Sequence, residues 1–179
     1  MNIKHISIAA ALALTGLAAN ATVTGSLGGS TSSFVTLSSS NTTGDLASTS
    51  VTNLKLMPIG TVGLYLDAQP TAAASFTPVA GTGYVSFLWG SPDAGNLLTV
   101  TDSSGATTTF TAAQLGLTTD GYVQFWSSVG TTITKLGFTT SVIAYEVANF
   151  TTAVPEPSNV ALMLAGVGLF GFMARKRRV

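Results

Sequence analysis

The chain has 179 residues, 46% of them hydrophobic and only 8% charged, and its seven Lys and Arg balance seven Asp and Glu. The net charge is zero, and before the C-terminal Arg/Lys cluster no basic patch is available to neutralise phosphates, which argues against nucleic-acid binding. No cysteine and a single histidine remove disulfides, thiolate chemistry and most metal-ligating or proton-shuttling options.

Residues 1–21 read as an export leader. Lys4 and His5 form a short polar start, 6–19 are apolar, and Ala19-Asn20-Ala21 offers the small residues of a signal-peptidase site. The mature chain is therefore expected to begin at Thr22, after passage through the Sec translocon and cleavage by signal peptidase.

Residues 22–153 carry the fold, and roughly 130 residues suffice for one domain with its own core. In this stretch Lys55 and Lys135 stand against Asp45, Asp67, Asp93, Asp102, Asp120 and Glu146, a net charge of −4. The Ser/Thr/Gly-rich region 25–50 reads either as a mobile arm or as weak edge strands. Beyond it, short runs rich in Val, Thr and aromatics predict strands at 34–37, 62–66, 84–89, 97–101, 107–111, 122–126, 133–138 and 142–147. Turn residues separate several of them: Ser91-Pro92-Asp93-Ala94-Gly95, Asp102-Ser103-Ser104-Gly105, Asp120-Gly121 and Val129-Gly130. One helical turn is expected at 112–115. The pattern predicts an all-β fold, a single antiparallel β-sandwich of jelly-roll-like kind, between a leader helix and a C-terminal hydrophobic helix.

The chemistry of the domain narrows by inventory. The single histidine is His5, inside the leader, so the mature domain has no imidazole, and no Ser-x-x-Lys pattern is present to activate a serine. Carboxylate pairs for glycoside hydrolysis exist in principle, but Asp93, Asp102 and Asp120 all lie in turn sequences, where Asp caps backbone. No enzyme and no cofactor are expected. Calcium is the one metal with suitable oxygen ligands here, from Asp93 or Asp102 with Glu146, although no Asp-x-Asp-x-Asp loop appears. Trp89, Trp126, Asp93 and Asn96 are the candidates for a carbohydrate contact; for both tryptophans packing is the favoured role, because a Trp on an apolar strand more often fills a core or rim.

The chain closes on three consecutive parts. Val154, Pro155, Glu156, Pro157 and Ser158 contain two prolines, each fixing φ and lacking an N–H, so this stretch is expected to be extended. Residues 160–174 carry no charge, and a helix of that length covers about 22 Å, short of a hydrocarbon core of ~30 Å. Arg175, Lys176, Arg177 and Arg178 then form a cluster that the positive-inside bias keeps cytoplasmic. A span so short and glycine-rich suits a temporary stop.

This order of parts resembles the PEP-CTERM sorting signal of Gram-negative bacteria, whose carriers are substrates of exosortase, a membrane protease-transpeptidase. The resemblance implies transient inner-membrane retention, recognition at Pro155-Glu156-Pro157, removal of the tail and release to the cell surface or extracellular matrix. A second resemblance lies within the domain. Residues 84–93 with Asn96, then 122–125, then Tyr145, Glu146 and Asn149, look like exosortase-dependent surface proteins with a jelly-roll-like ectodomain. In those an aromatic is expected where Gly95 stands and an acidic residue where Ala148 stands. Two roles then remain for the domain: a structural or adhesive protein linked to exopolysaccharide and biofilm, or a lectin-like module that binds the exopolysaccharide.

Overall fold

The computed structural model describes residues 22–154. The leader with its cleavage residues Ala19 and Ala21, and the tail from Pro155 through the basic cluster, lie outside the described residues.

Eleven strands and one helical turn follow in the order β1 Val23–Leu27, β2 Thr42–Thr43, β3 Asp45–Ala47, β4 Tyr65–Ala68, β5 Ala74–Phe76, β6 Tyr84–Trp89, β7 Asn96–Asp102, β8 Thr107–Thr111, α1 Ala112–Leu115, β9 Gly121–Ser127, β10 Ile133–Thr140 and β11 Tyr145–Ala153. They form a six-stranded sheet, β1-β9-β6-β11-β4-β3, and a five-stranded sheet, β2-β5-β10-β7-β8, with antiparallel pairing throughout. The two pack face to face as a sandwich. Their shared interior takes Leu66, Val85, Phe87, Trp89, Val123, Phe125, Tyr145, Val147 and Phe150 from one sheet and Phe76, Leu98, Val100, Ile133, Leu136 and Phe138 from the other.

Period two explains which side chains enter that core, and two irregularities explain the exceptions. In β7, Leu98 and Val100 point inward while Leu97 and Thr99 do not. In β10 the register shifts between Ile133 and Lys135, so Ile133, Leu136 and Phe138 all reach the core despite their uneven spacing. In β11 a shift between Ala148 and Thr151 does the same for Tyr145, Val147 and Phe150, with Asn149 at the bulge in a left-handed conformation (φ 54°). Phe87 is the hub of the aromatic core. Its ring lies 5.2 Å from Phe150, 5.8 Å from Phe125 and edge-on to Phe138 at 5.5 Å.

The expected strands at 84–89 and 107–111 and the turn at 112–115 form as read, and those at 97–101, 122–126 and 133–138 each lengthen by two residues. Thr111 and Gln114 close a capping box on α1, and Gly116 ends it in the left-handed region at φ 75°. Three expectations change. Residues 34–37 run as a loop that gives one bond to the sheet, from the Val35 N–H to the Phe150 carbonyl at 2.6 Å. Residues 62–64 end a long loop, with β4 starting at Tyr65, and 142–144 turn the chain before β11, leaving Val142 and Ile143 exposed. Of the two readings of 25–50, edge strands prevail: β1 borders one side of the larger sheet and β3 the other, while β2 borders the smaller sheet.

Candidate functional site

Part of the outer face of the six-stranded sheet is covered by residues 48–64, which form a strap rather than a strand. This stretch joins neither sheet; besides its own turns at 51–55 and 58–61, side chains on and beside the sheet satisfy its backbone. The Glu146 Oε1 accepts from the Leu56 N–H at 2.7 Å, and the Asp120 Oδ2 accepts from the Ile59 N–H at 2.9 Å. Asn149 holds the strap twice, accepting from the Val62 N–H at 2.7 Å and donating to the Gly60 carbonyl at 2.8 Å, and it also donates to the Tyr122 hydroxyl. Tyr65 donates its hydroxyl to the Thr49 carbonyl, and Lys55 pairs with Asp45. Under the strap, Pro58 sits against Gly90 so closely that a Cβ there would lie 2.5 Å from the proline ring. Ala47, Tyr65, Leu88 and Ala148 make a small apolar layer below it.

Three carboxylates share this covered face. Asp45 pairs with Asp67 and Asp67 with Glu146 in register across β3, β4 and β11, so like charges stand side by side. Asp67 and Glu146 are both buried, and Asp67 Oδ1 and Glu146 Oε2 have no hydrogen-bond partner. Burial raises the Asp67 carboxyl, helped by the Asp45 charge, and burial with the neighbouring Asp67 pushes Glu146 up to about 7. An acid raised in the folded state adds stability while it can keep its proton. For Glu146 that contribution is complete below the ordinary value of 4.5 and is lost as pH rises toward 7. Glu146→Gln keeps an acceptor for Leu56 and removes the titration. The variant is therefore expected to gain about 2–3 kcal/mol on the parent at pH 8 relative to pH 4. Urea midpoints of both chains at the two pH values check this; equal shifts in the two chains count against a neutral buried Glu146. Asp67 has the same sign and leaves a residual slope in the variant.

A cavity of about 510 Å³ opens beside the strap, and Lys55, Ser91, Asp93 and Glu146 are among its lining residues. Asp93 is exposed there, whereas Asn96 is buried and gives its Nδ2 proton to the Ser91 carbonyl. Asp102 is at the opposite end of β7, where it accepts from Ser104 N, Ser104 Oγ and Ala106 N; the Ser104 hydroxyl bond, first among these, holds its carboxyl below the usual range. The structure thus brings Asp93 and Glu146 to one cavity and keeps Asp102 apart. Among the described residues no three His, Cys, Asp or Glu side chains are grouped so as to hold a metal ion. Gly95, where an aromatic was expected, lies against Ser141 and Val142, and a Cβ there would come within 2.7 Å of the Ser141 hydroxyl. Ala148 lies buried beneath the strap, where an acidic side chain would add a fourth carboxyl to the covered face.

The two tryptophans occupy different worlds. Trp89 is fully buried, stacked on Tyr145 at 4.7 Å, and has no face for a sugar. Trp126 lies on the outer side of β9, 39% exposed, with its ring 5.5 Å from that of Tyr84. Both rings line a cavity of about 430 Å³ next to Ala153, the last residue of β11. The polar groups around it are already engaged. Ser127 donates to the Thr131 carbonyl, Thr131 donates to the Ser128 carbonyl, and the Ser128 hydroxyl accepts from the Thr22 N–H.

From the end of β11 the chain passes into the proline-rich segment, and residues 153–178 match the PEP-CTERM protein-sorting motif. The chain carries an exosortase sorting signal. It is thus an exosortase substrate, exported and sorted to the cell surface. Neither a curated protein nor a solved structure matches the chain. Asp67 and the strap went unread in the sequence. The available signal was an acid between Leu66 and Ala68, preceded by Pro58 and Gly60, which interrupt any strand pattern there.

Proposed function

We infer that this exosortase substrate is a non-enzymatic structural or adhesive component of the extracellular matrix, linked to exopolysaccharide and biofilm. It is held briefly in the inner membrane by its tail and then released. The observation that carries the reading is the sorting motif, which follows directly on the last strand of a closed sandwich. Support comes from the acids, because Asp102, Asp120 and Glu146 are bound to backbone N–H groups and Asp45 to Lys55, which are structural duties. The strap adds an outward apolar surface at Leu56, Ile59 and Val62, with Ile59 84% exposed, suited to contact with other matrix material.

Processing is the first test. Mass and terminal analysis of the protein from its native host should find Thr22 at the N-terminus and no residues 160–178. A surface form that retains Arg175 to Arg178 in a host with active exosortase makes the tail a plain anchor and defeats the reading.

The lectin-like alternative draws on Trp126 and Tyr84, since an exposed indole beside a second ring can stack on a pyranose. Retention of Trp126→Ala on host exopolysaccharide separates the two. Unchanged retention supports the structural role, and lost retention in a variant that remains folded supports a lectin.

A further inference from the structure

We propose that the end of the sandwich bearing Tyr84, Trp126 and Val129 is a lipid-facing surface that rests on the membrane interface while the tail is still attached. The proposal rests on the tail being a temporary membrane stop.

Strand register fixes which groups share this end. Val23 pairs with Ser127, Tyr84 with Trp126, and Ala153 with Tyr84, so the start of the mature chain and the exit of the tail lie together beside the β9–β10 turn. The Val129 side chain at the tip of that turn is completely exposed, and Val79 in the β5–β6 loop is 62% exposed. The half-exposed Val154 approaches the same loop at Gly81. Residues 77–84, 126–132 and 153–154 contain no charged side chain, and Asp102 in the adjoining β7–β8 turn, which bonds to Thr132 through Ser103, is buried with its carboxylate held by Ser104 and Ala106. This end thus combines an exposed Val at a turn tip with a part-exposed Trp–Tyr ring pair. Aromatic rings with one wet edge and one apolar face are the residues that settle at headgroup level.

The tether supplies the partner. Only residues 155–159 separate Val154 from the uncharged run that begins at Val160. Fully extended, the six steps from Val154 to Val160 reach at most about 22 Å. If that run enters a bilayer, the tail exit and the cavity beside it are held within that distance of the interface. A sugar suits the cavity poorly, because the Ser127 and Thr131 hydroxyl protons are donated within the turn and the remaining surface is ring and methyl. Lipid needs no such donors. Without a basic residue in these loops, docking depends on apolar burial and not on anionic headgroups.

The chain from Thr22 to Val179, leader removed and tail attached, reconstituted in phosphatidylethanolamine–phosphatidylglycerol vesicles with brominated acyl chains, tests this. Trp126→Phe isolates the emission of buried Trp89, and its difference from the parent gives Trp126. The expected result is loss of most Trp126 emission to bromine and its protection from acrylamide. In Val79→Asp/Val129→Asp, two exposed positions, quenching should fall while the chain still floats with the vesicles. A chain that floats with the vesicles but shows Trp126 unquenched by bromine overturns the docking and leaves the tail reading standing. A chain that does not float overturns both. Trp126 emission that ignores the bilayer and shifts with host exopolysaccharide assigns the patch to a glycan, which also overturns the proposal.

Discussion

Trp89→Ala is expected to destabilise the folded domain by about 3–5 kcal/mol, the cost of truncating a large core aromatic. In a domain of this size that corresponds to a melting temperature lower by about 10–20 °C. Trp89 is fully buried, stacks on Tyr145 at 4.7 Å and lies 6.2 Å from Phe87, so its removal opens a void at the centre of the aromatic core. The neighbours cannot close over it, because Phe87 and Tyr145 are themselves fixed on β6 and β11. Trp89→Phe should cost much less. The indole Nε1 has no hydrogen-bond partner, so the smaller ring loses volume but also relieves a buried, unsatisfied N–H. Trp126→Ala provides the contrast, with a cost of about 1 kcal/mol for a half-exposed residue on an outer face. Thermal melts of the mature protein rank the three. Equal losses at Trp89 and Trp126 are incompatible with the packing described.

What the sequence disclosed follows from the range of the interactions involved. Strands such as β6, β8 and β9 announce themselves because their side chains alternate or are β-branched and aromatic over five or more residues, a local signal. β2, β3 and β5 are two or three residues long and are made by their partners: Thr42 and Thr43 are extended because Phe76 and Ser75 lie opposite. No local pattern encodes that. The late start of β11 has a similar cause, since Val142 and Ile143 carry strand propensity but have no sheet to bury against. The strap was illegible for a different reason. Its order comes from Glu146, Asn149 and Asp120, which are about 60 to 90 positions away in sequence, as their bonds to Leu56, Val62 and Ile59 respectively show. Glu146 and Asn149 were visible in the sequence as part of a family resemblance, but their geometry gives them a latch to hold. The tail is the opposite case. Its parts act in sequence order, so the order alone identifies it.

Replacing Pro155 and Pro157 together with alanine should make uncleaved precursor the major species in the inner membrane. β11 ends at Ala153, paired with Tyr84, in the middle of the six-stranded sheet between β6 and β4. A proline two residues on cannot donate to a ladder, so the sheet stops there, and the second proline keeps the apolar run from extending backward as helix. Two fixed φ angles and two missing N–H groups disfavour both ladder and helix in this stretch of the sequence, where a protease must bind main chain. Alanine restores both N–H groups and frees φ, and the strand or the helix can then consume the segment. The folded domain itself should be untouched, because Pro155 and Pro157 follow its last strand. Serine at Arg175, Lys176, Arg177 and Arg178 should act differently: loss of the basic cluster removes the orientation bias and weakens the stop, so chains leave the membrane uncut. Immunoblots of inner-membrane and secreted fractions, with intact masses, distinguish the two. Normal tail removal in the double alanine variant means that the prolines are not what exosortase reads in this chain.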